Sequence, residues 1–387
     1  MRDAVIVEAV RTPIGRRKGA LVETHPVDLS AAVLQALAER SGIDLSLVDD
    51  VMWGCVGQVG EQSANVGRNA VLAAGWPEHV PGTTIDRQCG SSQQALHFAA
   101  ATVVAGQADV VVAGGVESMS RVPMGSARNA GPGQPFGPRM RARYDDFAFN
   151  QGTGAEILAR RHNLSREQLD AYSLESHRRA AQAIDDGRFV KQIAPVELPD
   201  GSTFSQDEGV RRESTLESLA GLKPAFEEDG RVTAGNASQI SDGAAALLVM
   251  TSDKARSLGL VPIARVHTAT VVGDDPVTML GGPIPATAKV LKLAGLTLSD
   301  IGAFEVNEAF ASVVGAWLDA TGAPAELVNP LGGAIALGHP LGGSGARIAT
   351  TLVHHLRDEG WRYGLQTMCE AGGMANATIF ENLAVTS

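Results

Sequence analysis

The chain has 387 residues, enough for two or three domains' worth of buried core. Hydrophobic residues make up 44% and charged residues 19%, while aromatics reach only 4% against 44 glycines, a balance that favours Ala/Val/Leu layers joined by tight glycine turns. The formal net charge of -11 argues against a general nucleic-acid-binding role, and any anionic ligand must be met by a local cluster of Arg or Lys.

The N-terminal run MRDAVIVEAVRTPIG lacks the basic, apolar, small-residue order of a signal peptide, and Ala4–Ala9 reads as a buried strand. A helix is expected over Leu29–Ser41 and a second strand over Val51–Val56. A glycine-marked helix, Gly90–Gly106, then feeds the strand Asp109–Ala113, which Gly114-Gly115 is expected to stop. This alternation argues for parallel sheet with helices on its faces.

From about Glu117 to Asp242 the character changes to Arg-rich stretches, turns such as Gly131-Pro132-Gly133, and an amphipathic helix Ser165–Asp186. Ser165 is a good N-cap there, with Gln168 completing a capping box. The segment reads as an inserted loop domain. Its arginines between Arg121 and Arg143 suit a solvated surface, phosphate contacts or a subunit interface.

After the insertion the first pattern returns. Asp300–Val306 parallels Asp49–Gly54, Leu337–Thr351 parallels Gln88–Thr102, and Gly364–Gly373 parallels Asp109–Gly115, in the same order. An internal duplication follows, with residues 1–262 (including the insertion at about 117–242) as one half and 263–387 as the other. No apolar stretch approaches a membrane span, the C-terminal AVTS is not a peroxisomal address, and the three cysteines form no CxxC pair. A cytoplasmic, reducing location is the expectation.

Four places carry chemistry. Cys89, in Asp86-Arg87-Gln88-Cys89-Gly90-Ser91-Ser92, opens an apolar helix whose N-terminal N–H groups would favour a thiolate; alone, it fits an inert buried cysteine as well. His339, held between Gly338 and Pro340 on a glycine-rich turn, suits a neutral imidazole that takes a thiol proton and then donates to an oxyanion. Cys369, at a strand end before Gly372-Gly373, suits a general acid/base or a buried thiol. Asn307 suits a helix cap, or an amide that holds a water or oxyanion.

Together, the stretches DRQCGSSQQA, NEAFA, GHPLGGSG and CEAGGM, in this order and spacing from Val5 to the last strand, resemble the thiolase family over nearly the whole chain. The resemblance implies an α/β class, the duplicated thiolase fold with five layers α-β-α-β-α and an inserted loop domain. It also implies a ping-pong reaction of 3-ketoacyl-CoA, with Cys89 as nucleophile, His339 as its base and Cys369 as the acid/base. One oxyanion hole is implied at His339 with a water on Asn307, the other at the backbone N–H groups of Cys89 and Ala371. Ala371 stands where the family usually has Gly, so its backbone must suit a Cβ. For CoA the resemblance points to Arg211 and Ser238, and for the acyl pocket to Met279. No metal or prosthetic group is implied, CoA being a substrate, and the family's assembly is a homodimer or homotetramer.

Asn150-Gln151-Gly152 departs from the His-Met-Gly of short-chain biosynthetic thiolases, so a degradative enzyme with a broad or bulky acyl pocket is expected. DRQCGSSQQA, ASQISDGAAA and YGLQTMCE are similar to actinobacterial degradative, including steroid side-chain, thiolases. The alternatives are condensation of two acetyl-CoA, a ketoacyl synthase, a cysteine hydrolase, and a non-catalytic thiolase-like CoA- or lipid-binding protein.

Overall fold

The computed structural model describes residues 2–129 and 131–385. Nine strands form the path of one long sheet: β1 Val5–Arg11, β2 Asp50–Gly54, β3 Gly82–Ile85, β4 Val110–Ser118, β5 Ser241–Met250, β6 Ala264–Gly273, β7 Ile301–Val306, β8 Tyr363–Glu370 and β9 Met374–Glu381. Their spatial order is β7-β8-β9-β6-β1-β5-β4-β2-β3. The helices that matter here are α1 Pro26–Ser41, α2 Ser91–Ala105, α3 Pro138–Arg143, α4 Gln151–Arg161, α5 Arg166–Asp185, α6 Pro283–Ala294, α7 Ala311–Thr321 and α8 Leu341–Glu359.

The sheet is two sheets meeting at a narrow join, since β1 and β6 pair only through Val5↔Arg265 and Ile6↔Ala264. On either side the same sequence of senses repeats. In β1-β5-β4-β2 and in β6-β9-β8-β7 two antiparallel pairings are followed by a parallel one. The sheet is therefore mixed, where alternation alone suggested parallel. The reason is that β5 enters only after the long insertion at residues 119–240, and β9 follows β8 through a tight turn, so neither is delivered by a crossover helix.

Burial explains the layers. Leu29, Val33, Leu34 and Leu37 of α1 cover the outer face of the first sheet against Val51, Trp53, Val110 and Val112. Ala95, Leu96, Ala99 and Val103 of α2 and Ala346, Ala349, Leu352 and Val353 of α8 fill the centre, touching Ile6, Val111 and Leu247 on one side and Ala303 and Phe380 on the other. Val290 of α6 and Trp317 of α7 cover the far side with Phe304, Leu365 and Ile379. Small and branched residues at nearly every buried position let two sheets share one helical layer, giving α-β-α-β-α.

Gly114-Gly115 does not stop β4, which runs on to Ser118. A Cβ on Gly114 would sit 2.4 Å from the Trp53 ring, and one on Gly115 would sit 2.3 Å from the Gly342 carbonyl, so these glycines serve close packing within a strand. The capping box at Ser165 and Gln168 is present at the start of α5.

Candidate active site

Cys89 lies on the turn from β3 into α2, 4% exposed. Gln88 before it has φ 50°, a left-handed conformation that costs a non-glycine residue about 1–3 kcal/mol. Neighbours hold the turn: Asp86 Oδ1 accepts from the Gln88 N–H at 2.7 Å, and the Ser91 hydroxyl donates to the Gln88 carbonyl at 2.6 Å. Burial first, and the Glu370 carboxylate second, push the Cys89 thiol up to about 12. This corrects the expectation of a thiolate stabilised at a helix start, because desolvation outweighs the helix N–H groups.

His339 precedes α8. Gly338 before it has φ 106°, and a Cβ there would lie 2.4 Å from Ser241 Oγ, so only glycine lets the chain deliver the ring. The tautomer follows from hydrogen bonding. The Ser344 hydroxyl donates to the Pro340 carbonyl at 2.8 Å, so at the 2.6 Å contact with His339 it accepts, and Nδ1 carries the proton. Nε2 is left with its lone pair, facing the Asn307 amide, which donates toward it over a long 3.4 Å. Burial, and then the Arg347 guanidinium, hold the ring down at about 3, so it is neutral.

Asn307 follows β7, its N–H donating to the Thr367 carbonyl at 3.0 Å. Its side-chain Oδ1 is buried without a hydrogen-bond partner among the described residues, an acceptor available to a water or substrate. Cys369 is fully buried near the end of β8, and burial, with Cys89 next, pushes its thiol well above the ordinary range. It packs with Met279, Leu280, Ala309 and Phe310. Met279 is held at φ 62°, another strained non-glycine residue at this centre. Ala371 is not in the left-handed region, so its Cβ is accommodated; the two glycines after it, at φ 87° and 72°, make the turn.

The two helix starts are tied together, Ser92 Oγ accepting from the Ala346 N–H at 2.9 Å. Asn307 thus faces His339, Cys369 packs with Met279 and stands within electrostatic reach of Cys89, and the bond between the two helices joins these sets. Ser238 stands at the wall of this centre, its N–H donating to the Ala309 carbonyl at 2.9 Å. Arg211 does not reach this centre. It is exposed and lines a separate 530 Å³ cleft with Leu174, His177 and Arg212.

The pattern of the thiolase N-terminal domain matches residues 4–253, and that of the thiolase C-terminal domain matches residues 260–382. The chain belongs to the thiolase family. This thiolase is 50% identical to the steroid 3-ketoacyl-CoA thiolase FadA6 of Mycobacterium tuberculosis, over 99% of this chain and 95% of that one. It is 47% identical to a 3-ketoacyl-CoA thiolase of Pectobacterium carotovorum, over 99% and 100%. Among solved structures it matches the Bacillus anthracis acetyl-CoA acetyltransferase (TM-score 0.91, 40% identity) and human mitochondrial 3-ketoacyl-CoA thiolase (TM-score 0.91, 37% identity), each over 99% of both chains.

Sequence reasoning about this thiolase missed three residues. Ser344, which sets the tautomer, sits inside the GHPLGGSG stretch, and its spacing of five from His339 is the signal that would have found it. Glu117 and Glu370, both buried carboxylates near Cys89, carry no such signal, because only the fold brings them there.

Proposed function

We propose that this thiolase cleaves 3-ketoacyl-CoA with free CoA, giving acetyl-CoA and a shortened acyl-CoA. The observation that carries the mechanism is the neutral His339 with Nδ1–H given to Ser344 and the Nε2 lone pair turned to Asn307, on a helix joined to that of Cys89 through Ala346 and Ser92. A resting ion pair would be costly in this buried place, so Cys89 loses its proton to Nε2 only as its sulfur attacks C3 of the substrate. The C3 oxyanion is met by backbone N–H or by the imidazolium with a water on Asn307. The C2–C3 bond then breaks, its electron pair moves into the enolate of acetyl-CoA, and Cys369 protonates C2. The acyl group remains on Cys89 as a thioester. The Cys369 thiolate takes the proton of incoming CoA, CoA sulfur attacks the acyl carbon, and Cys89 leaves and recovers its proton from His339. The reverse sequence is a Claisen condensation.

Arg211 and Ser238 are proposed to hold CoA, the first from the outer cleft and the second at the wall of the centre. The degradative direction with a bulky acyl group is supported by the full-length likeness to the Mycobacterium tuberculosis steroid enzyme and by Gln151 in place of Met. Condensation of two acetyl-CoA is the second reading, favoured by the likeness to the Bacillus anthracis acetyl-CoA acetyltransferase. We place the boundary of the halves at 262–263 with the loop domain at about 117–242. We also propose a cytoplasmic homodimer or homotetramer, with the four-residue edge strand β3 open to continue the sheet into a second subunit.

The test is cleavage of acetoacetyl-CoA and of a ring-bearing 3-ketoacyl-CoA, with Cys89→Ser alongside. The reading expects cleavage that needs free CoA, is lost in Cys89→Ser, and is faster on the bulky substrate. Turnover confined to acetoacetyl-CoA would favour the second reading, and thioester loss without CoA would overturn both.

A further inference from the structure

Glu370 follows Cys369 on β8 and turns the other way. Side chains alternate along a strand, so Cys369 faces the cluster of Met279 and Phe310 while Gln366 and Glu370 face the central helices. On that face the Gln366 amide donates to the Gly345 carbonyl of α8 at 2.8 Å. Glu370 there meets the nucleophile's turn, its carboxyl filling the place where a Gly90 Cβ would be, and Gly90 follows Cys89. One carboxyl group thus stands next to one thiol in the chain and against the turn of the other in space.

Its surroundings hold more acceptors than donors. Glu370 and Asn376 are both fully buried. The Asn376 Nδ2 donates to the Gly90 carbonyl at 3.2 Å, which fixes the orientation of the amide and leaves its Oδ1 as an acceptor. Neither that oxygen nor either carboxyl oxygen of Glu370 has a hydrogen-bond partner among the described residues, and the unmet donor on the neighbouring Arg87 is its Nε alone. A single proton on Glu370 would supply an O–H to this group of acceptors and remove a buried charge at the same time.

No counterion touches the carboxyl. Arg87 and Asp86 act on it from the turn before α2, but no ion pair within 4.0 Å joins Arg87 to Glu370 among the described residues. The Arg87 guanidinium lies instead 3.9 Å from Met374 Sδ. β9 brings Met374, paired directly with Glu370, and Asn376, neither of which titrates. The remaining titratable neighbours are the two thiols, on both of which Glu370 acts. Burial, opposed by Arg87, pushes Glu370 up to about 8.

In acylation, negative charge develops on the Cys89 sulfur, on the C3 oxygen and then on the enolate. A carboxylate against the same turn opposes all three, and a neutral acid opposes none. We propose that Glu370 is a positioning residue acting through Cys89: as the neutral acid it lets the sulfur take on charge, and as the carboxylate it holds acylation off. The inference rests on the thiolase mechanism above.

The test follows acetyl-CoA released when a 3-ketoacyl-CoA meets excess enzyme without free CoA, from about pH 6 to about pH 9.5, in wild type and in Glu370→Gln. Leaving out free CoA removes the titration of its thiol, and any ionisation of the substrate is common to both proteins and cancels in their ratio. The Cys89 thiol, at about 12, lies above the window. The ratio of variant to wild-type rate should be constant below about pH 7 and rise about tenfold by about pH 9, one unit above the Glu370 midpoint of about 8. Glu370→Met, uncharged but without a donor for Asn376, gives the same rise from a lower rate and serves if the Gln variant does not fold. A merely structural role would change the rate by one factor at every pH, so a flat ratio overturns the proposal. A wild-type rate that climbs throughout the window overturns it without any variant. Absence of acetyl-CoA release from either protein at every pH, with no acyl group on Cys89, would instead overturn the mechanism beneath it.

Discussion

Glu117 and Glu370 occupy equivalent places in the two halves and do different things. The one-turn helices Leu45–Leu47 and Leu298–Asp300 lead into β2 and β7, so that Trp53 and Val306 correspond. Trp53 pairs with Gly114 and Val306 with Thr367, and three residues beyond each partner stands a buried glutamate. Each points at the start of the central helix of the opposite half. Glu117 accepts the N–H of Gly342 in α8 at 2.8 Å, together with those of Val56 and Gly57 and the amide of Gln62 at 2.8–3.0 Å. Glu370 lies against Gly90, before α2, with its Oε1 2.0 Å from where a Cβ would be, and neither of its oxygens has a hydrogen-bond partner among the described residues.

The duplicated frame thus places a carboxylate beside both catalytic turns, and only one has become a structural anchor. Glu117 fastens the helix that follows His339 to the loop after β2. Glu370 is unfastened, and burial, opposed by Arg87, pushes it up to about 8, so at neutral pH it is mostly a neutral acid next to Cys89. Pseudo-symmetry of the backbone does not carry over to electrostatics, because the loop donors that meet Glu117 have no counterparts around Glu370.

The largest effect that would sharpen this contrast is on stability. Glu117→Gln puts an NH2 group against N–H donors in a buried site and should cost about 3 kcal/mol or more in urea unfolding. A cost below about 1 kcal/mol would show that the four hydrogen bonds are not an anchor. Next comes the histidine that the anchored helix carries. Ser344→Ala removes the acceptor for Nδ1–H and should lower kcat/KM about 10- to 100-fold with little change in Tm. Ser344→Thr should restore most of the rate, and an unchanged rate in the Ala variant would remove Ser344 from the mechanism.

The smallest effect belongs to Glu370. Its folded value of about 8 stands above the ordinary 4.5, so the folded chain keeps a proton that the unfolded chain gives up. Its contribution to stability is full below about pH 4.5 and is lost as pH rises through about 8. Glu370→Gln abolishes that dependence, so its Tm should gain on wild type by a few degrees between about pH 5 and about pH 9. Parallel curves for the two proteins would mean that Glu370 is solvated or partnered in solution.

Legibility in the sequence followed the range of the cause. Cys89, His339, Asn307 and Cys369 stood out as candidates because each lies on or close to a turn marked by Gly, Pro or Asn, within a stretch that also carries its neighbours. The repeat was readable because strand, helix and strand recur in order. The run of β4 through Gly114-Gly115 was not, since those glycines answer to Trp53 and to Gly342, far off in the chain. The raised Cys89 thiol was not readable either. It depends on complete burial and on Glu370, 281 positions away, whereas the helix start that argued for a thiolate is local. In the sequence Arg139 and Arg143 suit a solvated surface, phosphate contacts or a subunit interface alike, and only the fold sets them in one cleft with Gly372 and Met374 of the turn after β8.

The most direct measurement is the site of acylation. The protein is mixed with a 3-ketoacyl-CoA without free CoA, quenched in acid, digested and analysed by mass spectrometry. The mechanism expects the shortened acyl group on the peptide bearing Cys89, its removal by added CoA, and no adduct in Cys89→Ser. An acyl group on Cys369 or Cys55, or turnover with no acylated cysteine at all, would contradict it.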